Sequence, residues 1–326
     1  MEEYNIKSRV IGVDISNERT TYAIIDIRGN IIAEDSIATD QYPDINQFVK
    51  VLSERLVMLM EENGGYDTIR SIGVSAPSAS SVSGCIENAA NLPWKGTIPL
   101  AVMLREQIGL AVGLSNDAHI SALGEHAFGS AHGLKNFIIV SLGVGIGSCF
   151  FGEGVEHQGH LGYAGEFGHT CLVDNGRVCG CGHQGCLEAY VGAKGIVQTA
   201  EELMAASDAP SLLRGLEKLS PRTISECCDQ GDEMAIEVFR RTGYLLGLGL
   251  ANYASITDPE AIILTGGISH AGKWLVRPTY EAFEQHVFGN LRGKVKILVS
   301  KLNDRERDVL GASALAWSVP EYSLFK

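Results

Sequence analysis

Two stretches of the chain share one pattern of apolar runs and turn-forming residues. In the first stretch, the apolar runs Val10–Ile15 and Tyr22–Ile27 flank a polar turn, and a glycine turn precedes Ile31–Ala33. In the second stretch, Phe137–Leu142 leads through a glycine-rich segment into Ser148–Phe151. Short β-branched runs separated by turns predict strands joined in hairpins. Because this pattern occurs twice, the sequence predicts two similar α/β lobes that face each other across a cleft.

Helical spacing of apolar residues follows the first stretch and returns late in the chain. Apolar residues recur every three or four positions between Asp44 and Gly64, which predicts a helix. The stretch Glu233–Ser255 predicts a long helix, whose glycines indicate close packing or a nearby ligand. The last helix, near Arg307–Trp317, is expected to cross back to the first lobe. Further buried strands are predicted at Ser71–Ala76, Leu110–Leu114, Ala261–Leu264 and Val295–Val299.

Size and charge exclude several classes of protein. The 326 residues suffice for two domains with a sizeable core, and 45% hydrophobic with 20% charged residues argues against disorder. A formal net charge of -13 disfavours nucleic acid or an anionic membrane as the main partner. The apolar runs are too short to cross a bilayer, and the N-terminal segment lacks a basic stretch followed by an apolar core. The sequence therefore predicts a cytoplasmic protein without a nucleic-acid or membrane partner.

The most specific chemical signal is a histidine with three cysteines in one short run. These residues are His169, Cys179, Cys181 and Cys186. One imidazole and three thiolates complete a tetrahedral zinc shell with no position left for water, which predicts a structural zinc site. In a chain with eight cysteines and no export signal, metal binding is favoured over disulfides. Cys171 and His183 lie in the same run and are excluded from the predicted ligands. The alternative is a turn-rich loop of reduced, partly buried thiols.

Amide and carboxylate side chains form a second set of candidates. Asp117 follows a predicted strand, where open α/β sheets bind their ligands, although a single aspartate there is more often a helix N-cap. Glu166 and Glu188 flank the proposed zinc ligands, so the zinc loop would hold both side chains rigidly. Asn91 and Asn116 add amide groups of the kind that hold a polyhydroxyl compound. One further carboxylate can accept the proton of a hydroxyl that attacks a phosphate.

Two glycine motifs are candidates for phosphate and nucleotide contacts. Gly143, Gly145 and Gly147 lie between two predicted strands, where backbone N–H groups could cradle phosphate oxygens. Gly266 and Gly267 follow a predicted buried strand. Each motif alone is weak evidence, because glycine-rich hairpins are common. The informative feature is their order along the chain: an Asn-Asp pair, the glycine turn, the zinc loop and the late Gly-Gly.

This order of motifs resembles the ROK family of bacterial sugar kinases and sugar-responsive repressors, from Val10 to about Ala316. The resemblance implies the actin/hexokinase/Hsp70 fold, with two actin-like (ribonuclease H-like) lobes around a central cleft. The implied lobes are residues 1–117 with about 306–326, and residues 118–305 with the zinc loop and most of the nucleotide-base site.

The resemblance also implies an activity. The expected reaction transfers the ATP γ-phosphoryl group to O6 of a hexose, as a glucokinase does. Glucose is favoured as the sugar, followed by N-acetylmannosamine, N-acetylglucosamine and fructose. The implied cofactors are a structural Zn²⁺ ion and Mg²⁺ with ATP, and the implied assembly is a homo-oligomer, either a dimer or a tetramer.

The family motifs match individual residues of this chain. Asn116 and Asp117 match the family's substrate asparagine and catalytic base. Sugar contacts are implied for Asn91, Glu166, His169 and Glu188. Phosphate and nucleotide contacts are implied for Asp14, Gly143, Gly145, Gly147, Gly266 and Gly267. Zinc ligation is implied for His169, Cys179, Cys181 and Cys186. His169 would therefore touch both the sugar and the metal.

The first phosphate turn departs from the family pattern. Where the family has D-x-G-G-T, this chain has Asp14-Ile15-Ser16-Asn17-Glu18, and Val144 replaces a threonine in the second phosphate turn. Asn17 can adopt a left-handed conformation, which would preserve the turn. The carboxylate of Glu18 would repel a triphosphate, unless Arg19 offsets its charge or Glu18 helps to hold Mg²⁺.

Two alternatives to a kinase follow from these departures and from the range of the family. A catalytically impaired sugar-binding or regulatory protein would keep the sugar contacts and lose productive ATP binding. A repressor would carry a helix-turn-helix domain ahead of the first strand, and that strand is predicted to begin by about Val10. The early start of this strand and the net negative charge both disfavour the repressor. The sugar-binding protein is therefore the main alternative to a kinase.

Overall fold

The structure, a computed structural model, describes residues 7–89, 91–160 and 162–320. The chain divides into two units, Met1–His132 with Leu302–Lys326, and Gly133–Lys301. The first unit thus extends past the predicted boundary at residue 117. Residues 1–6 and 321–326 of the predicted first lobe lie outside the described residues.

The strands and helices follow in chain order. In the first unit, the strands are β1 (Arg9–Ile15), β2 (Arg19–Asp26), β3 (Ile31–Ala38), β4 (Ile69–Ser75), β5 (Ala79–Ser80), β6 (Cys85–Glu87), β7 (Thr97–Ile98) and β8 (Ala111–Ser115). In the second unit, they are β9 (Phe137–Leu142), β10 (Ile146–Gly152), β11 (Val155–Glu156), β12 (Ala261–Thr265) and β13 (Lys296–Val299). The helices are α1 (Ile45–Glu62), α2 (Leu100–Ile108), α3 (Asp117–Phe128), α4 (Glu188–Val191), α5 (Ala193–Ala206), α6 (Pro221–Asp229), α7 (Glu233–Thr257), α8 (Lys273–His286) and α9 (Asp304–Ser318).

The main sheets of the two units have the same topology. The first has the order β3-β2-β1-β4-β8, and the second has the order β11-β10-β9-β12-β13. In each sheet the first three strands in sequence pair antiparallel, a later strand pairs parallel with the first, and the last strand pairs parallel with that later one. This repetition confirms the duplicated unit that the hydrophobic pattern predicts. The arrangement of the lobes around a cleft stays a prediction.

A row of glycines explains why the last helix belongs to the first unit. Gly12, Gly73 and Gly113 lie in register on β1, β4 and β8. A Cβ atom on Gly12 would lie 2.2 Å from the carbonyl oxygen of Val309, so α9 packs directly on the sheet backbone. The last helix therefore packs on the main sheet of the first unit. Helix α3 also packs against α9, which is why residues 118–132 group with the first unit rather than with the second.

Gly73→Ala is expected to destabilise the first unit. A Cβ atom at Gly73 would lie 1.9 Å from the carbonyl oxygen of Ala312, which cannot move without shifting α9. Overpacking of this kind typically costs about 1–3 kcal/mol. Urea unfolding should show the loss, and Gly152→Ala should serve as the control, because no atom lies within 4 Å of the added Cβ. Equal midpoints for the two variants would contradict the packing account.

Close packing also accounts for the glycines of α7. A Cβ atom on Gly243 would meet the ring of Pro278 at 2.6 Å, and one on Gly247 would meet the carbonyl oxygen of Thr279 at 2.3 Å. Both contacts are with α8, so of the two explanations that the sequence allowed, the structure favours helix packing. Within the described ranges, no helix combines the length and the apolar composition needed to cross a bilayer.

Candidate functional site

The first unit gathers its candidate residues at one edge of its sheet. Strands β1, β4 and β8 are parallel, and Asp14, Ser75 and Ser115 lie side by side near their carboxyl ends. Asn116 and Asp117 follow directly where β8 turns into α3. The carboxyl edge of parallel strands is the usual ligand-binding edge of an open sheet. The structure therefore brings Asp14 and Asp117 to one edge, as their predicted roles require.

Asn116, and not Asp117, caps helix α3. The Oδ1 atom of Asn116 accepts a hydrogen bond of 2.9 Å from the backbone N–H of His119. Asp117 is the first residue of the helix, and its carboxylate accepts from the N–H of Ala118 at 3.0 Å. Although Asp117 is exposed to solvent, the surrounding protein desolvates its carboxylate and raises its pKa. A carboxylate with a raised pKa is a stronger base, which suits the predicted role of Asp117.

Asp14 lies in an acidic environment that the sequence did not reveal. Burial and the neighbouring carboxylates of Asp308 and Asp117 raise the pKa of Asp14 to about 7. Asp308 belongs to α9, nearly 300 positions further along the chain. No local motif connects the two residues, so sequence reasoning missed Asp308. Oxygen ligands crowded in this way suit a hard divalent cation such as Mg²⁺.

The raised pKa of Asp14 predicts a pH dependence of stability. An unfolded aspartate titrates near 3.8, so between about pH 4 and 7 the folded state holds a proton that the unfolded state releases. The contribution of Asp14 to the free energy of unfolding should therefore fall as pH rises through this window. When the pH is raised from 5 to 8 in buffer without nucleotide or metal, wild type should lose roughly 1–3 kcal/mol of free energy of unfolding relative to Asp14→Asn.

Urea unfolding at both pH values checks this prediction. Asp26→Asn provides a control without pH dependence in this window, because a hydrogen bond from Asn30 lowers the pKa of Asp26 and the carboxylate is ionised at both pH values. The difference in stability between that variant and wild type should therefore be the same at both pH values. A difference between Asp14→Asn and wild type that does not change with pH would contradict the raised pKa.

The first phosphate turn folds without a left-handed residue. Ser16 donates its backbone N–H to the carbonyl oxygen of Arg19 at 2.9 Å, and the N–H of Arg19 donates to Ser16 Oγ at 3.3 Å. Positive φ angles occur elsewhere in the described chain and not at these positions, so the turn does not use the left-handed conformation that Asn17 can adopt. The serine hydroxyl closes the turn instead. Glu18 is exposed at its tip.

Asn91 occupies a turn between β6 and β7. Its own side chain is exposed, whereas the neighbouring Leu92 and Trp94 are 3% and 4% exposed. Trp94 Nε1 donates to the carbonyl oxygen of Tyr42 at 2.9 Å, which fixes the turn on the first unit. The sugar contact implied for Asn91 stays a prediction.

In the second unit, the predicted zinc ligands converge. The ligand atoms of His169, Cys179, Cys181 and Cys186 all lie within 4.8 Å of one another. The Sγ atoms of Cys181 and Cys186 are 3.6 Å apart, and Cys179 Sγ lies 3.7 Å from His169 Nδ1. Zinc–sulfur bonds of about 2.3 Å would place two sulfurs of a tetrahedral site about 3.8 Å apart, whereas a disulfide needs about 2 Å. The separations therefore fit a tetrahedral metal site.

The two ring nitrogens of His169 face different groups. Nδ1 points to the thiols, while Nε2 lies 3.9 Å from Glu166 Oε2. Metal on Nδ1 would leave the proton on Nε2, which could then donate to Glu166 or to a ligand beside it. Cys171 and His183 lie outside the four-residue cluster, as predicted, although His183 Nδ1 is 3.6 Å from Cys181 Sγ.

Glu188 connects the cysteine cluster to the glycine turn. Its Oε2 atom accepts a hydrogen bond of 3.0 Å from the N–H of Ile146, and its Oε1 atom lies 3.5 Å from Cys179 Sγ. A Cβ atom on Gly145 would lie 2.6 Å from the same Oε2 atom, so the Glu188 carboxylate approaches the backbone of the glycine turn closely. The sequence indicated a sugar contact for Glu188 and did not indicate this structural link. The sugar contact stays a prediction.

The two glycine motifs lie next to each other. Gly266 has φ +81°, and a Cβ atom on it would lie 2.5 Å from the carbonyl oxygen of Leu142, which immediately precedes the glycine turn. Gly267 begins a short 3-10 helix and has open space around its Cα. Within the second unit, the cysteine cluster, Glu188, the glycine turn and Gly266 thus form one continuous arrangement.

Both units have the same mixed sheet, and the second unit places a glycine turn beside a His-Cys cluster. These features define a class of two-unit α/β proteins. Comparisons with known proteins identify the family. The sequence matches the ROK family over residues 10–319. It is similar to a glucokinase of Streptomyces coelicolor, with 30% identity over 94% of this chain and 96% of the glucokinase. It is also similar to a xylose repressor of Caldicellulosiruptor bescii, with 26% identity over 96% of this chain and 80% of the repressor. The chain belongs to the ROK family.

A solved structure agrees with this assignment. A ROK family glucokinase from Streptomyces griseus, in complex with glucose and AMPPNP, aligns with a TM-score of 0.76 at 30% identity. The alignment covers 95% of this chain and 99% of the glucokinase. The likeness therefore extends over both units.

Proposed function

We propose that this protein is an ATP-dependent sugar kinase that phosphorylates a hexose at O6, with glucose as the favoured substrate. The observation that carries the proposal is the continuous arrangement in the second unit, where Glu188 joins the cysteine cluster to the glycine turn. The similarity to two Streptomyces glucokinases supports the choice of reaction and sugar. N-acetylmannosamine, N-acetylglucosamine and fructose are the further candidates.

In this proposal, Asp117 orients the attacking hydroxyl and accepts its proton. Its raised pKa supports that role, and the cap formed by Asn116 holds the carboxylate at the start of α3. Because its Oδ1 atom already accepts from the helix, Asn116 would meet the sugar through its Nδ2 group. Glu166 and the Nε2 atom of His169 would bind sugar hydroxyls. Such positioning supplies much of the rate enhancement of phosphoryl transfer.

Two metal ions are proposed. The cysteine cluster with His169 would hold a structural Zn²⁺ ion, because its spacing fits a closed tetrahedral shell. Asp14 would hold Mg²⁺, with Asp308 nearby and Arg307, which pairs with Asp308 at 3.3 Å, offsetting part of the negative charge. Bound Mg²⁺ neutralises charge on the phosphate oxygens. The N–H groups of the glycine turn and the backbone at Gly266 would position the nucleotide.

A coupled assay of ADP release with a panel of sugars tests the proposal. The expected result is ATP-dependent turnover that is fastest with one hexose, together with a product phosphorylated at O6. Mass spectrometry of the product and NMR of its phosphate position complete the identification. Turnover with none of the four sugars would argue against the kinase.

A sugar-binding protein without turnover is the second candidate, and the two phosphate turns favour it. Glu18 places a carboxylate at the tip of the first turn, and Val144, in the place of a hydroxyl donor in the second turn, is 79% exposed. Both changes weaken phosphate binding. Isothermal titration calorimetry separates the candidates: sugar binding without any ADP release supports the binding protein, whereas turnover supports the kinase.

A further inference from the structure

Tyr253 connects helix α7 to the turn that carries Glu166 and His169. Its side chain is buried, at 3% exposure, and its ring stacks on Phe167 with centroids 3.9 Å apart and planes 18° apart. The Tyr253 hydroxyl donates to the carbonyl oxygen of Phe167 and lies 2.6 Å from Thr170 Oγ1. Burial raises the pKa of Tyr253 to about 12, so the hydroxyl keeps its proton at working pH. The hydroxyl oxygens of Tyr253 and Thr170 and the carbonyl oxygen of Phe167 thus lie close together beside this turn.

The turn needs support from outside its own backbone. It is a single 3-10 turn, Phe167–His169, preceded by Gly165 with φ +95°. Within the turn, the N–H of His169 donates to the carbonyl oxygen of Glu166 at 3.1 Å, and the N–H and the hydroxyl of Thr170 donate to the carbonyl oxygen of Phe167 at 3.2 and 2.8 Å. A turn this short is held mainly by the surrounding structure.

Two sides of the turn are anchored differently. On the sheet side, the hydroxyl of Ser148 donates to the carbonyl oxygen of Gly165, and the N–H of Phe167 donates to Ser148 Oγ at 3.3 Å. On the helix side, the support consists of the Tyr253 ring and hydroxyl. The stack continues from Phe167 to Phe150 on β10, with centroids 6.0 Å apart. Tyr253 is thus the contact that ties the turn to α7.

We propose that Tyr253 is a positioning residue that holds Glu166 and His169 in the geometry needed to bind sugar. The inference rests on the proposed function for the identity of the ligand. The position of the turn itself follows from the contacts and does not depend on that function. Glu166 and His169 have half-exposed and one-third-exposed side chains, so both are accessible to a ligand. Without the hydroxyl, the turn would sample other positions and the sugar site would lose its preorganisation.

Tyr253→Phe in the full-length protein tests this proposal. It removes only the hydroxyl and keeps the stacked ring, so the fold should be retained. Calorimetry should show a three- to tenfold weaker affinity for sugar, the effect of about one lost hydrogen bond. Affinity for the ATP analogue AMPPNP and the content of bound zinc should not change. Hydrogen–deuterium exchange should become faster at the amides of residues 166–170 and not elsewhere.

Tyr244→Phe is the matched control, because Tyr244 lies on the same helix, is 40% exposed and has its hydroxyl 3.4 Å from His286. Thr170→Val removes the other hydroxyl and should weaken sugar binding in the same direction. Unchanged exchange and sugar affinity in Tyr253→Phe would overturn the proposal. An equal loss of AMPPNP affinity, or a loss of zinc, would overturn it too, because either would indicate a general structural role. If the wild-type protein binds none of the sugars, the proposed function fails, and exchange alone decides whether Tyr253 holds the turn.

Discussion

Asp117→Asn is expected to abolish phosphoryl transfer while the protein still binds its sugar. The substitution keeps the size of the side chain and leaves the cap formed by Asn116 in place, so helix α3 should be undisturbed. It removes only the group that accepts the proton of the attacking hydroxyl. General-base catalysis contributes about 10²–10⁴-fold, and kcat should fall by that factor.

The measurement combines turnover with binding. Coupled ADP release gives kcat, and calorimetry gives the sugar dissociation constant, which should stay within about threefold of wild type. Asp67→Asn is the control, because Asp67 is an exposed aspartate of the same unit. If Asp117→Asn keeps most of the wild-type kcat, Asp117 is not the base.

The pH dependence of the proposed kinase activity in the wild-type protein adds an independent check on Asp117. The base must be ionised to work, and desolvation by the surrounding protein raises the pKa of Asp117. The acidic limb of the kcat profile should therefore lie above the usual range of an aspartate. In Asp117→Asn this limb should disappear from whatever activity remains.

Loss of one cysteine of the cluster is the second large effect that we expect. Cys179→Ser should release the metal, because a structural zinc site requires all four ligands. The side chains of His169 and Glu188 both lie close to Cys179 Sγ, so both would then lose the metal site beside them. Loss of such support typically costs about 10–100-fold in affinity or activity, and sugar binding should weaken by that order.

Cys171→Ser provides a matched control in the same loop. Cys171 is an exposed thiol outside the four-residue cluster. Elemental analysis should find about one zinc ion per chain in the wild type and in Cys171→Ser, and nearly none in Cys179→Ser. A wild-type protein purified without zinc, or a Cys179→Ser variant that keeps it, would favour the alternative of a loop of reduced thiols.

Local patterns were sufficient for the main strands and for the four residues of the His-Cys cluster. The runs at Val10–Ile15 and Phe137–Leu142 became the first strands of two sheets with the same topology. Period and length alone predict such strands, because a buried strand must be apolar over several consecutive residues. The small sheet of β5, β6 and β7 was not predicted, since strands of two or three residues are too short to show a period.

Contacts between distant segments could not be predicted in this way. Asp308 meets Asp14 because α9 lies directly on the glycines of β1 and β4. Nothing in the sequence near either aspartate indicates the other. The conformation of the first phosphate turn could not be predicted from the sequence either. The hydroxyl of Ser16 closes this turn, and Asn17 does not adopt a left-handed conformation. A side chain that takes over a backbone hydrogen bond leaves no periodic signal.

The sequence by itself determined the duplicated α/β pattern, the four metal-binding candidates and the Asn-Asp pair, because spacing along the chain carries each of them. Only the tertiary structure decided that Asn116 caps α3, that Glu188 links the cysteine cluster to the glycine turn, and that Tyr253 supports the turn with Glu166 and His169. These roles depend on which atoms meet when helices and strands pack. Packing brings together residues whose positions in the sequence are unrelated.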